Sequence, residues 1–308
     1  MHFLKIRIFF FFLLPLLKKS LLFIKKKEKL NKKGKMTRGA MKLFNKNIFF
    51  CMFFICFSSF GFGKEAIQVV AVKSSPQPDE AELTIVFPKE GEIEKTQTSL
   101  VEIRMRGFPI GTMSSLPRRD DIAVSEKGQT IHVVVDNHPY FMVCGPSVDP
   151  FEQKGNYYEA DFRIKIPFSL EKGLHILRAF PARAFGESLK GEKVFQTMYF
   201  YVKEKDKIPS FLNQPYITYN EPSGQIPLKE GQPILLDFYV SNATITPDGY
   251  KVKLTIDNKE IRYLTEWAPY YIYGLKKGQH KVHLQLLDAK NLPVKDVFNN
   301  VISQFIVE

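Results

Sequence analysis

Cys144 is the side chain best suited to nucleophilic chemistry outside the apolar leader. It sits in "FMVCGPSVDP", with His132, His138 and Asp149 close by in sequence. A cysteine attacks as its thiolate, which needs a histidine or another cation in contact. Closeness in sequence supplies no such contact, and "CGP" reads equally well as a strand end running into a Gly-Pro turn. No catalytic residue is assigned. A second group is aromatic. "TEWAPYYIYG" holds the only tryptophan, Trp267, with Tyr270, Tyr271 and Tyr273. Such rings stack on sugars or anchor a protein partner, and they also pack in a strand. They are the candidate binding residues. A third group is paired: Gly173 and His175 in "LEKGLHIL" stand where Gly278 and His280 stand in "LKKGQHKV". A group that occurs twice reads as part of the fold, each histidine capping the edge of a core. The three cysteines form no metal-ligand spacing, since Cys51 and Cys56 lie in the leader, and no glycine-rich phosphate loop occurs. Neither a metal nor a cofactor is expected.

The elements that hold these residues begin after a leader. The 308-residue chain has a formal net charge of +12, but residues 1–63 hold 14 of its 44 Lys and Arg and one of its 32 acidic residues. From Lys64 onward 30 basic residues face 31 acidic ones, a net charge of −1. The basic field belongs to the leader, which removes the argument for a nucleic-acid partner. From Met41 the sequence reads "MKLFNKN", then "IFFCMFFICFSSF", then "GFG": a basic start, an apolar run and small residues at the cleavage positions. The run is short of the roughly 20 residues that span a bilayer. Residues 41–63 are read as a signal peptide, with a membrane anchor as the alternative. Residues 1–40 are read as a hydrophobic leader from a start codon placed too early. Bulky residues before Cys51 and Cys56 argue against a lipid anchor.

Past a polar lead-in, 64–80, the pattern is that of strands. "VEIRMR", "YEADFRIKI" and "YKVKLTID" alternate apolar and polar residues, the period of half-buried antiparallel strands. No later segment sustains a helical period. The chain also repeats. "KEGE" matches "KEGQ", "IHVVVDN" matches "VKLTIDN", "LEKGLHIL" matches "LKKGQHKV", and "YFYVKE" matches the closing "SQFIVE". The order is kept while the offset shrinks from 140 to 105 residues, so the first copy carries the longer loops. The expected fold is all-β: two tandem immunoglobulin-like sandwiches, 81–204 and 218–308, joined by a linker at 205–217.

"LKKGQHKVHLQLLDAKN" resembles the penultimate strand region of bacterial extracytoplasmic immunoglobulin-like or fibronectin III-like domains: a Gly-x-His turn (Gly278, His280), an alternating strand, then Asp288 and a polar turn. The first copy matches only through "KGLHILRAF". The resemblance implies a fold; such domains serve as spacers, adhesin modules, enzyme accessories and assembly factors. With the leader, it gives the expectation of a non-enzymatic binding or structural module of the cell envelope. Its place would be the periplasm, the outer membrane or outside the cell, or the inner membrane if residues 41–63 anchor it. The expected partner is an envelope or extracellular protein or a glycan, with membrane contact only through the leader. The alternatives are a carbohydrate-binding module built on Trp267 and Tyr271, and an envelope enzyme using Cys144. The long loops of the first copy, "RGFPIGTMSSLPRRDD" and "CGPSVDPFEQKGNYY", are further places for recognition.

Overall fold

The computed structural model describes residues 66–94, 100–115, 117–145, 158–206, 212–296 and 298–308. The leader readings for residues 1–63, most of the loop after Cys144, and residues 207–211 of the expected linker lie outside these residues. Among the described residues no helix is long and apolar enough to cross a membrane.

The first copy is a sandwich of two sheets. One carries β2 (Glu82–Phe87), β4 (Leu100–Arg106) and β7 (Glu159–Lys165), in the order β2-β4-β7. The other has the order β3-β9-β8-β5-β6, from β3 (Ile93–Glu94), β5 (Thr130–Val135), β6 (Phe141–Val143), β8 (Gly173–Ala182) and β9 (Gln196–Val202). Alternate residues of both sheets meet in an apolar core that includes Val101, Ile103, Met105, Phe162, Val133, Leu177 and Phe200. Two-residue periodicity aims them there, because successive strand side chains leave opposite faces.

The second copy repeats this arrangement strand for strand. β10 (Tyr216–Glu221), β12 (Ile234–Ser241) and β15 (Tyr270–Tyr273) stand in for β2, β4 and β7. β11 (Gly224–Ile226), β17 (Asn300–Val307), β16 (Gly278–Leu287), β13 (Lys251–Ile256) and β14 (Lys259–Leu264) follow the order of the first five-stranded sheet. In both copies the first strand pairs with its neighbour through a register shift, and a short strand then runs parallel to the last one. The core between these sheets holds Ile217, Leu236, Phe238, Leu254, Tyr270, Leu284 and Phe305.

Two features go beyond the expectation of sandwiches strung on a linker. First, the stretch read as a polar lead-in contains a strand, β1 (Gln68–Ala71), and it pairs antiparallel with β15 of the second copy. Val69 enters the second core. The chain therefore lays down an edge strand of its second sandwich before it builds the first. Second, residues 65–308 form one compact unit in which the two sandwiches pack face to face. The outer face of the first copy's five-stranded sheet lies on the outer face of the second copy's β10, β12 and β15. Four sheets are thus stacked, and the middle two are buried on both sides: every residue of β5 and all but the last of β12 are buried. The sequence marks this with runs such as "PILLDFYV", apolar on both faces of the strand.

Candidate functional site

The sequence-selected residues are placed as follows. His175 Nδ1 lies 2.8 Å from Asp136 Oδ2 and its Nε2 lies 2.8 Å from the carbonyl of Glu171, while Asp136 Oδ1 accepts from Ile176 N at 2.8 Å. His280 repeats this with Asp257 (2.8 Å), the carbonyl of Lys276 (2.7 Å) and Lys281 N (3.0 Å). Each ring leans on a phenylalanine of the last strand, Phe200 or Phe305. In each ring both nitrogens face acceptors, and at His175 the doubly donating imidazolium matches them. Burial opposes that charge at His175, but the bonds to Asp136 and to Glu171 outweigh it and raise its pKa. Gly173 and Gly278 adopt positive φ, 113° and 132°, just ahead of each histidine, where a side chain would be strained. These four residues form two copies of one turn-and-cap device.

The four aromatic residues do not share an exposed plane. Tyr270 is buried in the second core, stacked on Phe238. Tyr271 packs with Ile122, Phe185 and Leu235 between the sandwiches, and Tyr273 packs against that group. Trp267 alone is well exposed, at 42%, and its Nε1 donates to the carbonyl of Phe238 at 3.1 Å. β15 is a central strand flanked by β1 and β12, so its alternate rings point into two different interiors.

Cys144 contacts the carbonyl of Met142 at 3.9 Å, and burial raises its thiol pKa, with Lys127 opposing. His132 and His138 are engaged elsewhere: the first bonds to Asn220, the second stacks on Phe168 at 3.9 Å. A raised thiol pKa lowers the thiolate fraction that nucleophilic attack requires. Among the described residues no group of His, Cys, Asp and Glu is arranged to hold a metal.

The densest polar chemistry lies between the sandwiches, and the sequence reading missed it. Asp237 of β12 is fully buried. Its Oδ1 accepts from Lys190 Nζ at 2.7 Å, and its Oδ2 accepts from Ser188 N at 3.2 Å, Asn220 Nδ2 at 2.7 Å and the Ser188 hydroxyl. Lys190 Nζ also donates to Ser188 Oγ (2.6 Å) and to the carbonyl of Phe238 (3.2 Å), and it lies 4.4 Å from the centre of the Tyr239 ring. Three acceptors thus surround Lys190 Nζ. A serine nucleophile must be reachable by substrate, and Ser188 is wholly buried. The Ser188–Lys190 pair is therefore a joint and not a nucleophile with its base.

Asn220 extends the joint. Its amide nitrogen donates to Gly186 O (2.7 Å) and to Asp237, which leaves its Oδ1 to accept from His132 Nδ1 at 2.7 Å. His132 stacks on Tyr140, with ring centres 3.9 Å apart, and Tyr140 donates to Glu221 Oε1 at 2.7 Å. Burial drives the His132 pKa down to about 4, so the ring is neutral. Burial, helped by the charge of Asp237, pushes Glu221 up to about 8 against its hydrogen bonds from Tyr140 and Ser223. Arg178 donates to Thr218 Oγ1 (3.1 Å) and to the carbonyl of Asp136, beside Phe298. At the far end buried Glu187 accepts from Ser75 N (2.7 Å), Ser75 Oγ (2.6 Å) and Arg118 (2.6 Å). Arg118 reaches it from the 3-10 turn Pro117–Asp120, in one of the long loops of the first copy. A groove of about 500 Å³ opens next to this turn, between Arg119, Ile122 and Val124 on one side and Leu228, Lys229 and Gln232 on the other.

No protein-family model matches the chain, and neither does any curated protein. Solved structures show a likeness at low identity. Fibronectin(III)-like modules of CbhA from Clostridium thermocellum are 14% identical over 73% of this chain and 94% of theirs, with a TM-score of 0.25. Dimeric latent PorU from Porphyromonas gingivalis is 12% identical over 81% of this chain and 21% of its own, with a TM-score of 0.22. The central fibronectin-III array of RIM-binding protein is 12% identical over 76% and 70%, also at 0.22. Likenesses this low assign no role to any residue.

Proposed function

We propose that the chain is a non-enzymatic binding or structural module that works in the bacterial cell envelope or outside the cell, as one rigid body of two sandwiches. One observation carries this reading. Among the described residues, the clustered polar side chains are engaged by the fold: Asp237, Lys190, Ser188, His132 and Glu187 are held in the joint, and the two histidine caps hold turns. What is left for recognition is surface, and we place partner contact at Trp267 and at the loops of the first copy. The leader supports the location, since a basic start, an apolar run and a small-residue exit form an export pattern. Burying Asp237 with Lys190 favours one relative placement of the sandwiches, a registry use of buried charge.

The test has two arms. The full chain, expressed in a bacterium with a leader-processing system, is expected in the extracytoplasmic fraction with its N-terminus near Lys64. A cytoplasmic, full-length product would overturn the location. The purified protein is then assayed on ester, peptide and glycoside substrates. Turnover abolished by Cys144→Ser in a folded chain would overturn the non-enzymatic reading. Partner contact is expected to weaken in Trp267→Ala, and the conservative Trp267→Phe, which keeps an aromatic ring at the site, is expected to restore part of it; equal binding by all three would remove Trp267 from the contact.

A further inference from the structure

We propose that residues 66–77 form an exchangeable arm, and that the β15 edge of one copy of this chain can accept β1 from a second copy. The arm makes its contacts with elements that come later in the chain. Gln68–Ala71 pairs with Tyr270–Tyr273. Val72 N donates to the carbonyl of Pro269 at 2.9 Å, and Arg262 donates to the carbonyl of Val69. Beyond the strand, Arg118 holds the carbonyl of Lys73, Glu187 holds Ser75, Arg183 holds the carbonyl of Pro76, and Lys190 N donates to Gln77 Oε1 at 2.7 Å. The arm joins the rest of the molecule through a turn at 78–81, closed by one backbone hydrogen bond from Ala81 N to the carbonyl of Pro78 at 3.3 Å. β2 begins at the next residue, Glu82.

An arm from a second molecule would make every one of these bonds again, and only the turn would have to open. Exchange of an identical element is a low-cost route to a dimer for that reason. The edge itself is built to be covered. β15 carries Tyr270, Tyr271, Ile272 and Tyr273 and has β1 on its outer side. Its counterpart β7 ends its sheet among the described residues and carries exposed Glu159, Asp161, Arg163 and Lys165, the charged pattern of an edge meant to stay in water. The second sandwich is thus incomplete without a strand whose covalent connection to it runs through the whole first sandwich.

The experiment uses the full chain with Cys51, Cys56 and Cys144 changed to serine, carrying Gln68→Cys and Tyr273→Cys, which face each other across β1 and β15. Two differently tagged preparations are mixed, unfolded, refolded over a range of concentrations and oxidised. The expected result is a disulfide-linked dimer bearing both tags, its share rising with protein concentration. Deleting residues 78–80 keeps the arm from folding back, and is expected to make the linked dimer the main species. Disulfide-linked monomer alone at every concentration overturns the proposal, as does the absence of any disulfide-linked product. Should the deletion variant not fold, the concentration series with the intact turn decides alone.

Discussion

The outer face of the five-stranded sheet occurs twice in this molecule, on the same strands in the same register, with opposite fates. In the first copy it carries His132, Val134, Ile176, Arg178 and Phe180, all buried against the second sandwich. The register, Val135 beside Leu177 and Ile256 beside Val282, puts Lys253, Thr255, Lys281, His283 and Gln285 at the same places in the second copy. There the face meets water, with Ile302 at 56% exposure and Ile306 at 41% on the last strand. The other sheet shows the reverse. In the first copy its outer face is a ladder of exposed ion pairs, Arg104 with Asp161 and Arg106 with Glu159. In the second it carries Leu235, Asp237 and Tyr239 into the joint. Strand order and register correspond between the copies, and the outward side chains are what differ between the stacked sheets and the solvated ones.

The strongest break of this comparison is Asp237→Ala. It leaves the Lys190 ammonium buried without its carboxylate and deprives Ser188 and Asn220 of an acceptor. The expected loss is about 3–5 kcal/mol, the range for removing one partner of a buried ion pair, read as a shift of the denaturant midpoint. A loss under 1 kcal/mol would mean that water reaches the joint. Exchanging residues between the two faces is the next test. Phe180→Gln installs the residue of the solvated face in the joint, where the ring packs 4.9 Å from Tyr239. It should cost about 3 kcal/mol, near the lower end for losing a buried phenylalanine. The reciprocal Gln285→Phe should stay within about 0.5 kcal/mol, since it lies on the open face. Similar costs for both would show that the faces are not distinguished by burial.

A pH titration sharpens the same contrast more gently. Glu221 is raised from 4.5 to about 8 in the folded chain, so the unfolded chain ionises first. Its contribution to stability is fully present below about pH 4.5 and is lost as the pH climbs to about 8. His132 is lowered from 6.5 to about 4, so its contribution is present above pH 6.5 and is lost as the pH falls through 4. Raised His175 adds to the alkaline decline. Glu221→Gln keeps an acceptor for Tyr140 and removes the ionisation. Its stability should gain on the parent steadily from pH 5 to pH 8 in denaturant titrations. Parallel curves would place Glu221 in contact with solvent.

The architecture of each sandwich was legible in the sequence because periodicity records which side of a strand faces a core. "VEIRMR" and "YKVKLTID" are strands, and the Asp-Asn endings of "IHVVVDN" and "VKLTIDN" supply the aspartates, at φ 52° and 50°, that cap the histidines. The stacking was not legible from alternation, since a strand buried on both faces does not alternate. The signal was a lone charge inside an apolar run: Asp237 in "ILLDFYV" and Arg178 in "HILRAF". A charge there is tolerable only with a buried partner, and a second interface is where such partners come from. β1 was missed for a different reason. "QVVA" is too short to show a period, and its partner strand lies about 200 residues away in sequence.

The smallest effect is expected where the comparison is tightest. Register places Glu102 of β4 at the position of Asp237 in β12: Phe87 faces Glu102 across the register shift of the first copy, as Glu221 faces Asp237 across that of the second. Both positions hold an acid paired with a base, Glu102 with Arg163 at 2.8 Å and Asp237 with Lys190 at 2.7 Å. Side-chain exposures are 67% for Arg163 and 27% for Glu102, against 9% and none for Lys190 and Asp237. Water solvates the guanidinium that Glu102→Ala would leave behind, and salt screens the pair it breaks. The substitution should therefore cost about 0–1 kcal/mol and shrink toward zero as ionic strength rises and the screening length falls to a few ångströms. Asp237→Ala should respond little to salt, because no ions enter the joint to replace the lost carboxylate. Measuring both variants at low and high salt separates burial from chemistry at one position of one fold. A salt-dependent cost at Asp237, or a large salt-independent cost at Glu102, would show that the stacking of the sheets is not what sets the two apart.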